Sequence, residues 1–133
     1  MIAYIDTSAF LRMVVVGRDA QTVADGDRVR SYLDLFGADD IILSSRLLRT
    51  EVHCQANRQP EIDIGLADST LAEIDIVPIE QDDFVSAPLV PGRLRTLDAL
   101  HLAAALRLRA DVMVSFDSEL LRAARLAGMR VGP

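Results

Sequence analysis

The sequence contains no lysine; all 14 of its basic residues are arginine. Mechanisms that rest on a lysine amine are thereby excluded, including Schiff bases and the phosphate-gripping lysine of P-loops. Receiver domains and haloacid-type phosphatases also need a lysine. The phosphatases further need Asp-x-Asp after the first strand, where this chain has Asp6-Thr7-Ser8. Tryptophan is absent, and Tyr4 and Tyr32 are the only tyrosines. Stacking platforms for bases are therefore scarce, and an RNA partner would be read by shape or local structure. A single cysteine, Cys54, rules out an intrachain disulfide and a thiolate zinc site within the chain. It is expected to be a reduced, buried core residue. No G-x-G-x-x-G fingerprint supports nucleotide binding. No apolar run approaches ~18 residues, so no membrane span is expected. The N-terminus, MIAYIDTSAF, lacks the basic start and longer apolar run of a signal peptide, and the cytoplasm is the expected compartment.

What is present is a chain of 133 residues, half of them hydrophobic. That length and composition predict one domain over 1–133 with a real core. The 20 acids, mostly aspartate, give a net charge of −6. An acidic total argues against a passive nucleic-acid coat. It leaves room for an enzyme with cations in an acidic cleft, because two divalent ions would offset most of that charge.

The hydrophobic pattern predicts strands at 2–5, 41–43, 76–79, 112–116 and 130–131. Helices are predicted at 8–16, 28–36, 46–58, 61–74, 82–87, 96–109 and 118–127, with 18–27 as a polar loop. Ser44 or Ser45 is expected to cap the third helix and Thr96 the sixth, while Gly128 closes the last. Pro78 suggests an edge position for its strand. The alternation predicts a three-layer α/β/α fold around a central, mostly parallel sheet of four to five strands. Such folds place their sites at the carboxyl ends of strands, near the point where strand order reverses.

Four acids stand out against that frame. Asp6 follows the first strand and Asp117 the fourth, so both are expected on one edge of the sheet. Each also suits the N-cap of the next helix. Asp98 lies in the first turn of a helix that is apolar nearly all round, where it can favour the helix dipole. Few solvated positions exist on such a helix for an ordinary surface acid. Glu51 shares a helical face with Leu47, Leu48 and Cys54. An ionised acid on an apolar face requires a partner, either an arginine or a metal. If the four converge, carboxylates ~5 Å apart repel by ~3 kcal/mol per pair at an effective dielectric near 20. Such a cluster stays ionised only when cations neutralise it. All-oxygen ligands suit Mg²⁺ or Mn²⁺, and such a site suits phosphodiester hydrolysis.

Four segments then resemble a PIN domain, specifically a VapC-type toxin ribonuclease. They are Ile5-Asp6-Thr7-Ser8 with Ala9-Phe10, Ser45 to Val52 (SRLLRTEV), Arg95 to Ala103 (RTLDALHLA), and Val114 to Leu120 (VSFDSEL). They occur in the family's order and span most of the chain. The resemblance implies a metal-dependent endoribonuclease with Asp6, Glu51, Asp98 and Asp117 as its acidic quartet, binding one or two Mg²⁺ or Mn²⁺ ions. It implies that Ser8 and Ser115 support the site by hydrogen bonds. It also implies a homodimer, a cognate VapB-type antitoxin partner, and tRNA or rRNA as substrate.

The remaining polar residues are open to two readings. His101, one turn after Asp98, is read as a packed histidine bonded to a neighbour, and an outer-shell or RNA contact is the other possibility. Arg93 and Arg95 precede the Asp98 helix and suit RNA-backbone contact, or else lie as solvated surface. Arg12 and Arg18 offer a weaker version of the same idea. Glu119 fits helix-dipole stabilisation better than metal binding. Helices near 28–36 and 46–74 carry apolar surface that a dimer or antitoxin could cover. The alternative to a nuclease is a PIN fold that binds antitoxin or RNA without cutting.

Overall fold

A computed structural model describes residues 1–16 and 19–133. Five strands form one wholly parallel sheet: β1 (Ile2–Ile5), β2 (Ile41–Ser45), β3 (Asp75–Val77), β4 (Val112–Val114) and β5 (Arg130–Gly132). Their spatial order is β3-β2-β1-β4-β5. Seven helices connect them: α1 (Thr7–Val14), α2 (Ala20–Leu33), α3 (Arg46–Arg58), α4 (Ile64–Leu71), α5 (Gln81–Ser86), α6 (Thr96–Arg107) and α7 (Ser118–Leu126). The three-layer expectation holds, with five strands.

Side chains alternate across the sheet with the period of two that a strand imposes. Ala3, Ile5, Val112 and Val114 enter a core with Phe10, Met13, Leu48 and Val52, from α1 and α3. Tyr4 and Met113 point the other way, into a core with Leu102 of α6 and Leu120, Ala123 and Ala124 of α7. Both faces are thus covered, which is why these strands read as short continuous apolar runs. Helix α6 is buried over the seven consecutive residues Ala99 to Ala105, as its nearly all-round apolar sequence predicts.

Several expectations need correction. Helix α2 begins at Ala20, inside the stretch expected to be loop, because Asp19 caps it by accepting a bond from the Thr22 N–H. Gly26 is no loop signal there. A Cβ at that position would stand 2.4 Å from the Arg12 carbonyl oxygen, so glycine lets α2 lie directly on α1. Helix α4 begins at Ile64, behind its Asp63 cap, rather than at 61. Thr96 is the first helical residue of α6, with Arg95 in the cap position and no side-chain capping bond. Ser45 holds the cap position of α3 but makes no capping bond, since its hydroxyl receives the Tyr4 O–H at 2.8 Å. The Ser44 hydroxyl donates to the Ile5 carbonyl instead.

Cys54 is exposed, not buried. Helix α3 turns Leu48 and Val52 inward, and a residue two positions beyond Val52 lies on the opposite side. The β3 strand is an edge, as Pro78 suggested, and ends one residue before it. Of the apolar surface expected near 28–36 and 46–74, Leu35 and Ile64 are exposed, but Phe84, Val85 and Leu89 form a denser exposed group around α5. Among the described residues no helix is long and apolar enough to cross a membrane.

Candidate active site

Strand order reverses between β1 and β4, and this is where the acids gather. Ile5 lies opposite Val114 in the register, so Asp6 and Ser115 leave the sheet side by side. Asp6 is 3% exposed and serves as N-cap of α1, accepting the Ala9 N–H at 3.0 Å. Ser8 Oγ donates to its Oδ1 at 2.8 Å, and Ser115 Oγ donates to its Oδ2 at 2.8 Å. Each hydroxyl has a single proton, so their 3.2 Å separation is a contact between two groups already turned toward the carboxylate. Each also accepts from the chain after β4. Ser115 Oγ takes the Asp117 N–H and Ser8 Oγ takes the Phe116 N–H, both at 2.9 Å. The two serines therefore join the end of β1 to the end of β4 around Asp6. Burial raises the Asp6 carboxyl above its ordinary value, against the pull of the Ala9 N–H, the His101 ring and these hydroxyls.

Asp117 caps α7, with Oδ1 accepting the Glu119 and Leu120 N–H groups at 2.9 and 3.1 Å. Glu119 sits in the first turn of α7, where an acid complements the dipole. Both capping roles weighed for Asp6 and Asp117 are thus real, and neither uses up the carboxylate. Oδ2 of Asp117 has no hydrogen bond among the described residues.

Glu51, 24% exposed, is held by a partner the sequence did not single out. Its Oε1 accepts the Thr7 hydroxyl at 3.0 Å and His101 Nε2 at 2.6 Å. A carboxylate only accepts, so Nε2 carries a proton. The other ring nitrogen, Nδ1, lies 2.8 Å from the Tyr4 hydroxyl, which reaches on to Ser45. His101, 2% exposed, is therefore a bonded, packed histidine as expected, and the neighbour it bonds is one of the four acids. The signal was present: Asp98 and His101 are three apart on one helix, and Thr7 adjoins Asp6.

Asp98, half-buried in the first turn of α6, has no hydrogen-bond partner among the described residues. Its carboxyl is pushed up to about 6 by burial and then by the negative charges of Asp117 and Asp6, with Glu51 adding and His101 opposing. The other three acids thus all act on Asp98. Among the described residues no three His, Cys, Asp or Glu side chains close into a ready-made metal cage. The donor set itself is carboxylate and hydroxyl oxygen, which fits a hard divalent ion such as Mg²⁺ or Mn²⁺.

The family model of the PIN domain matches residues 3–126. The chain belongs to the PIN-domain family. This PIN domain is 31% identical over 131 residues to ribonuclease VapC46 of Mycobacterium tuberculosis, covering 96% of this chain and 94% of that protein. Its fold is shared with solved toxin–antitoxin structures at lower identity. VapBC2 from Rickettsia felis, bound to a DNA fragment from its promoter, matches with TM-score 0.74 at 13% identity, over 98% of this chain and 97% of that one. M. tuberculosis VapC20, described as a sarcin-ricin loop cleaving toxin, matches with TM-score 0.71 at 18% identity, over 98% and 99% of the two chains.

Arg93 and Arg95 are exposed in the turn that leads into α6 of the PIN domain. Gly92 shapes that turn: its φ is +97°, and a Cβ would meet Ala123 of α7 at 2.6 Å. Arg12 packs inward, donating from Nη1 to the Ser8 carbonyl at 2.6 Å. Arg18 lies outside the described residues. His53 pairs with Asp68 on the surface at 2.9 Å, away from the acids' hydrogen-bond network.

Proposed function

We propose that this PIN domain is a VapC-type toxin: an Mg²⁺- or Mn²⁺-dependent endoribonuclease, held inactive by a cognate VapB-type antitoxin. The observation that carries the reading is Asp98. It is a half-buried carboxylate that takes no hydrogen bond among the described residues, set among three other acids. That arrangement is short of positive charge, and one or two divalent ions held by Asp6, Glu51, Asp98 and Asp117 supply it. Those four carboxylates would hold the ion, and the chemistry it would supply there is Lewis-acid assistance to phosphodiester hydrolysis.

The chain's own residues do the positioning. Ser8 and Ser115 fix the Asp6 carboxylate between β1 and β4. His101 and Thr7 commit Oε1 of Glu51 and leave its second oxygen available. The α7 amides commit Oδ1 of Asp117 in the same way. Arg93 and Arg95, exposed beside the Asp98 helix, suit contact with the RNA backbone. With Tyr4 buried and Tyr32 packed edge-on against Phe36, neither tyrosine is placed to stack a base. That favours a structured tRNA or rRNA target read by shape. The protein's place is then the cytoplasm, with its RNA. Homodimer formation belongs to the same reading, and the exposed Phe84, Val85 and Leu89 are apolar surface that a partner would cover.

The test is cleavage of total RNA by the purified protein with Mg²⁺ or Mn²⁺ and with EDTA, beside Asp98→Asn prepared identically. The expected result is discrete fragments that require metal and vanish in the variant. Cleavage that survives EDTA or Asp98→Asn overturns the reading. The alternative, a fold that binds antitoxin or RNA without cutting, draws on the lack of a ready-made cage among the described residues. Calorimetric titration with Mn²⁺ separates the two, since a pure binding module gives no heat.

A further inference from the structure

A second group of side chains, built on the Phe116 ring, stands beside the acids. Phe116 lies between Ser115 and Asp117, with its backbone N–H on Ser8 Oγ at 2.9 Å. That bond fixes its backbone beside the carboxylates, and its ring packs against the core cluster that includes Phe10 and Val114. Two arginines lie over that ring: the Arg12 guanidinium carbon is 4.5 Å from the ring centroid and that of Arg28 is 5.6 Å. Both are within the range of cation–π attraction.

The two guanidiniums are not equivalent. Arg12 is spent locally, on the Ser8 carbonyl and on Asp25, whose Oδ2 is 3.6 Å from its Nε. Arg28 is 58% exposed, and its nearest acid is the same Asp25, at 3.8 Å from Nη1. That is beyond hydrogen-bond length, and among the described residues its guanidinium makes no hydrogen bond. One carboxylate shared between two arginines leaves a net positive charge against the ring. A cation–π contact uses the charge of a guanidinium and not its N–H donors. A planar fork with open donors over an aromatic ring matches the oxygens of a phosphodiester. The setting needs such a group, because a chain of net charge −6 repels RNA and its acids repel it most.

We propose that Arg28, poised over the Phe116 ring and sharing Asp25 with Arg12, grips a backbone phosphate of RNA next to the acidic cleft. The proposal rests on the ribonuclease reading of that cleft. It makes Arg28 a substrate-binding residue that touches neither the carboxylates nor the ion they hold.

The test uses a fluorescent single-stranded oligoribonucleotide and metal-free protein in EDTA, with binding followed by anisotropy over a range of salt. Arg28→Ala is expected to weaken binding ~5- to 10-fold at low salt and to flatten the slope of log Kd against log salt by ~0.7, the share of one phosphate contact on a single strand. Arg28→Lys keeps the slope, because it keeps the charge. Arg130→Ala, at the opposite end of the parallel sheet, changes nothing. In the cleavage assay Arg28→Ala raises KM about 10-fold with kcat within about twofold, the pattern of lost uniform binding. Its Mn²⁺ affinity stays that of the parent. Binding and slope unchanged in Arg28→Ala overturn the proposal, as does loss of Mn²⁺ affinity, which would mark a structural defect. A parent protein that cleaves RNA while Arg28→Ala binds normally sinks this inference alone. A parent that does not cleave, yet binds RNA with an Arg28-dependent slope, sinks the nuclease reading alone. If the parent neither binds nor cleaves, both fall.

Discussion

At Asp98 the same geometry that suits a cation destabilises the protein without one. Burial and three neighbouring acids hold its carboxyl near 6, above the ordinary value of 3.8. The folded state therefore binds this proton more tightly than the unfolded chain does. Stability is full below the unfolded value and falls as pH rises from about 4 through about 6. Asp98→Asn removes that cost while removing a proposed ligand. In EDTA at pH 7.5 the variant is expected to be more stable than the parent by about 1–2 kcal/mol, after discounting for solvent screening at a half-exposed site. That corresponds to a Tm higher by roughly 3–8 °C, and the difference should close below about pH 4. A variant no more stable than its parent at pH 7.5 would mean that the four charges are too far apart to matter. Glu51 and Cys54 show how far such residues were legible. Helical spacing put Glu51 beside apolar neighbours and correctly demanded a partner. It did not show which side of the stripe faces the sheet, so Cys54 was placed inside when Leu48 and Val52 are the buried pair. The partner, His101, came from a helix fifty residues away, beyond the reach of local spacing.

Elements were legible where one face is strongly apolar and less so where a helix lies on the surface. Helix α2 buries only Gly26 and Val29, so its first half reads as polar loop, and only the Asp19 cap with Thr22 marks the start. The contact of α5 with α6 hides a different device. Asp83, 1% exposed, caps the start of α5 through the Glu80 N–H and takes two bonds from Arg107 in the last turn of α6, at 2.8 and 2.9 Å. Neither Asp83 nor Arg107 stands out in the sequence, because an ion pair between two helices leaves no pattern in either. Burial alone would raise the Asp83 carboxyl, but the Arg107 bonds, the Glu80 amide and the Arg107 charge outweigh it and hold it below the ordinary value. A depressed carboxyl contributes stability above the unfolded value near 4 and loses it as pH falls through the folded one. Asp83→Asn leaves Arg107 only the looser ion pair with Glu80 at 3.5 Å and is expected to cost about 2 kcal/mol at pH 7, or roughly 7 °C in Tm. The deficit should shrink as the pH falls below about 4. Because this pair lies outside the acidic cleft's network, cleavage below the melting range is expected to stay intact. Loss of activity without loss of stability would contradict that separation.

For the whole molecule, the alternation of strands and helices announced a parallel sheet, but not that β1 and β4 are neighbours. That pairing joins residues more than a hundred positions apart, and it alone brings Asp6 and Ser115 together. The resulting fold brings four acids together at one end of the sheet, so its stability should respond to the ions that collect there. A ligand that binds only the folded state stabilises by RT ln(1 + [L]/Kd), or about 2.7 kcal/mol when the ion is present at 100 times Kd. Mn²⁺ at that excess should raise Tm by roughly 10 °C over the EDTA value. Added K⁺ at matched ionic strength should give far less, since screening alone relieves a partly buried cluster poorly. Asp98→Asn, already higher in EDTA, should gain much less from Mn²⁺, so that the two melting curves converge or cross as metal is added. Arg28→Ala should follow the parent throughout, because its proposed ligand is phosphate. Equal gains for parent and Asp98→Asn would place the ion elsewhere and detach the acidic cleft from metal binding altogether.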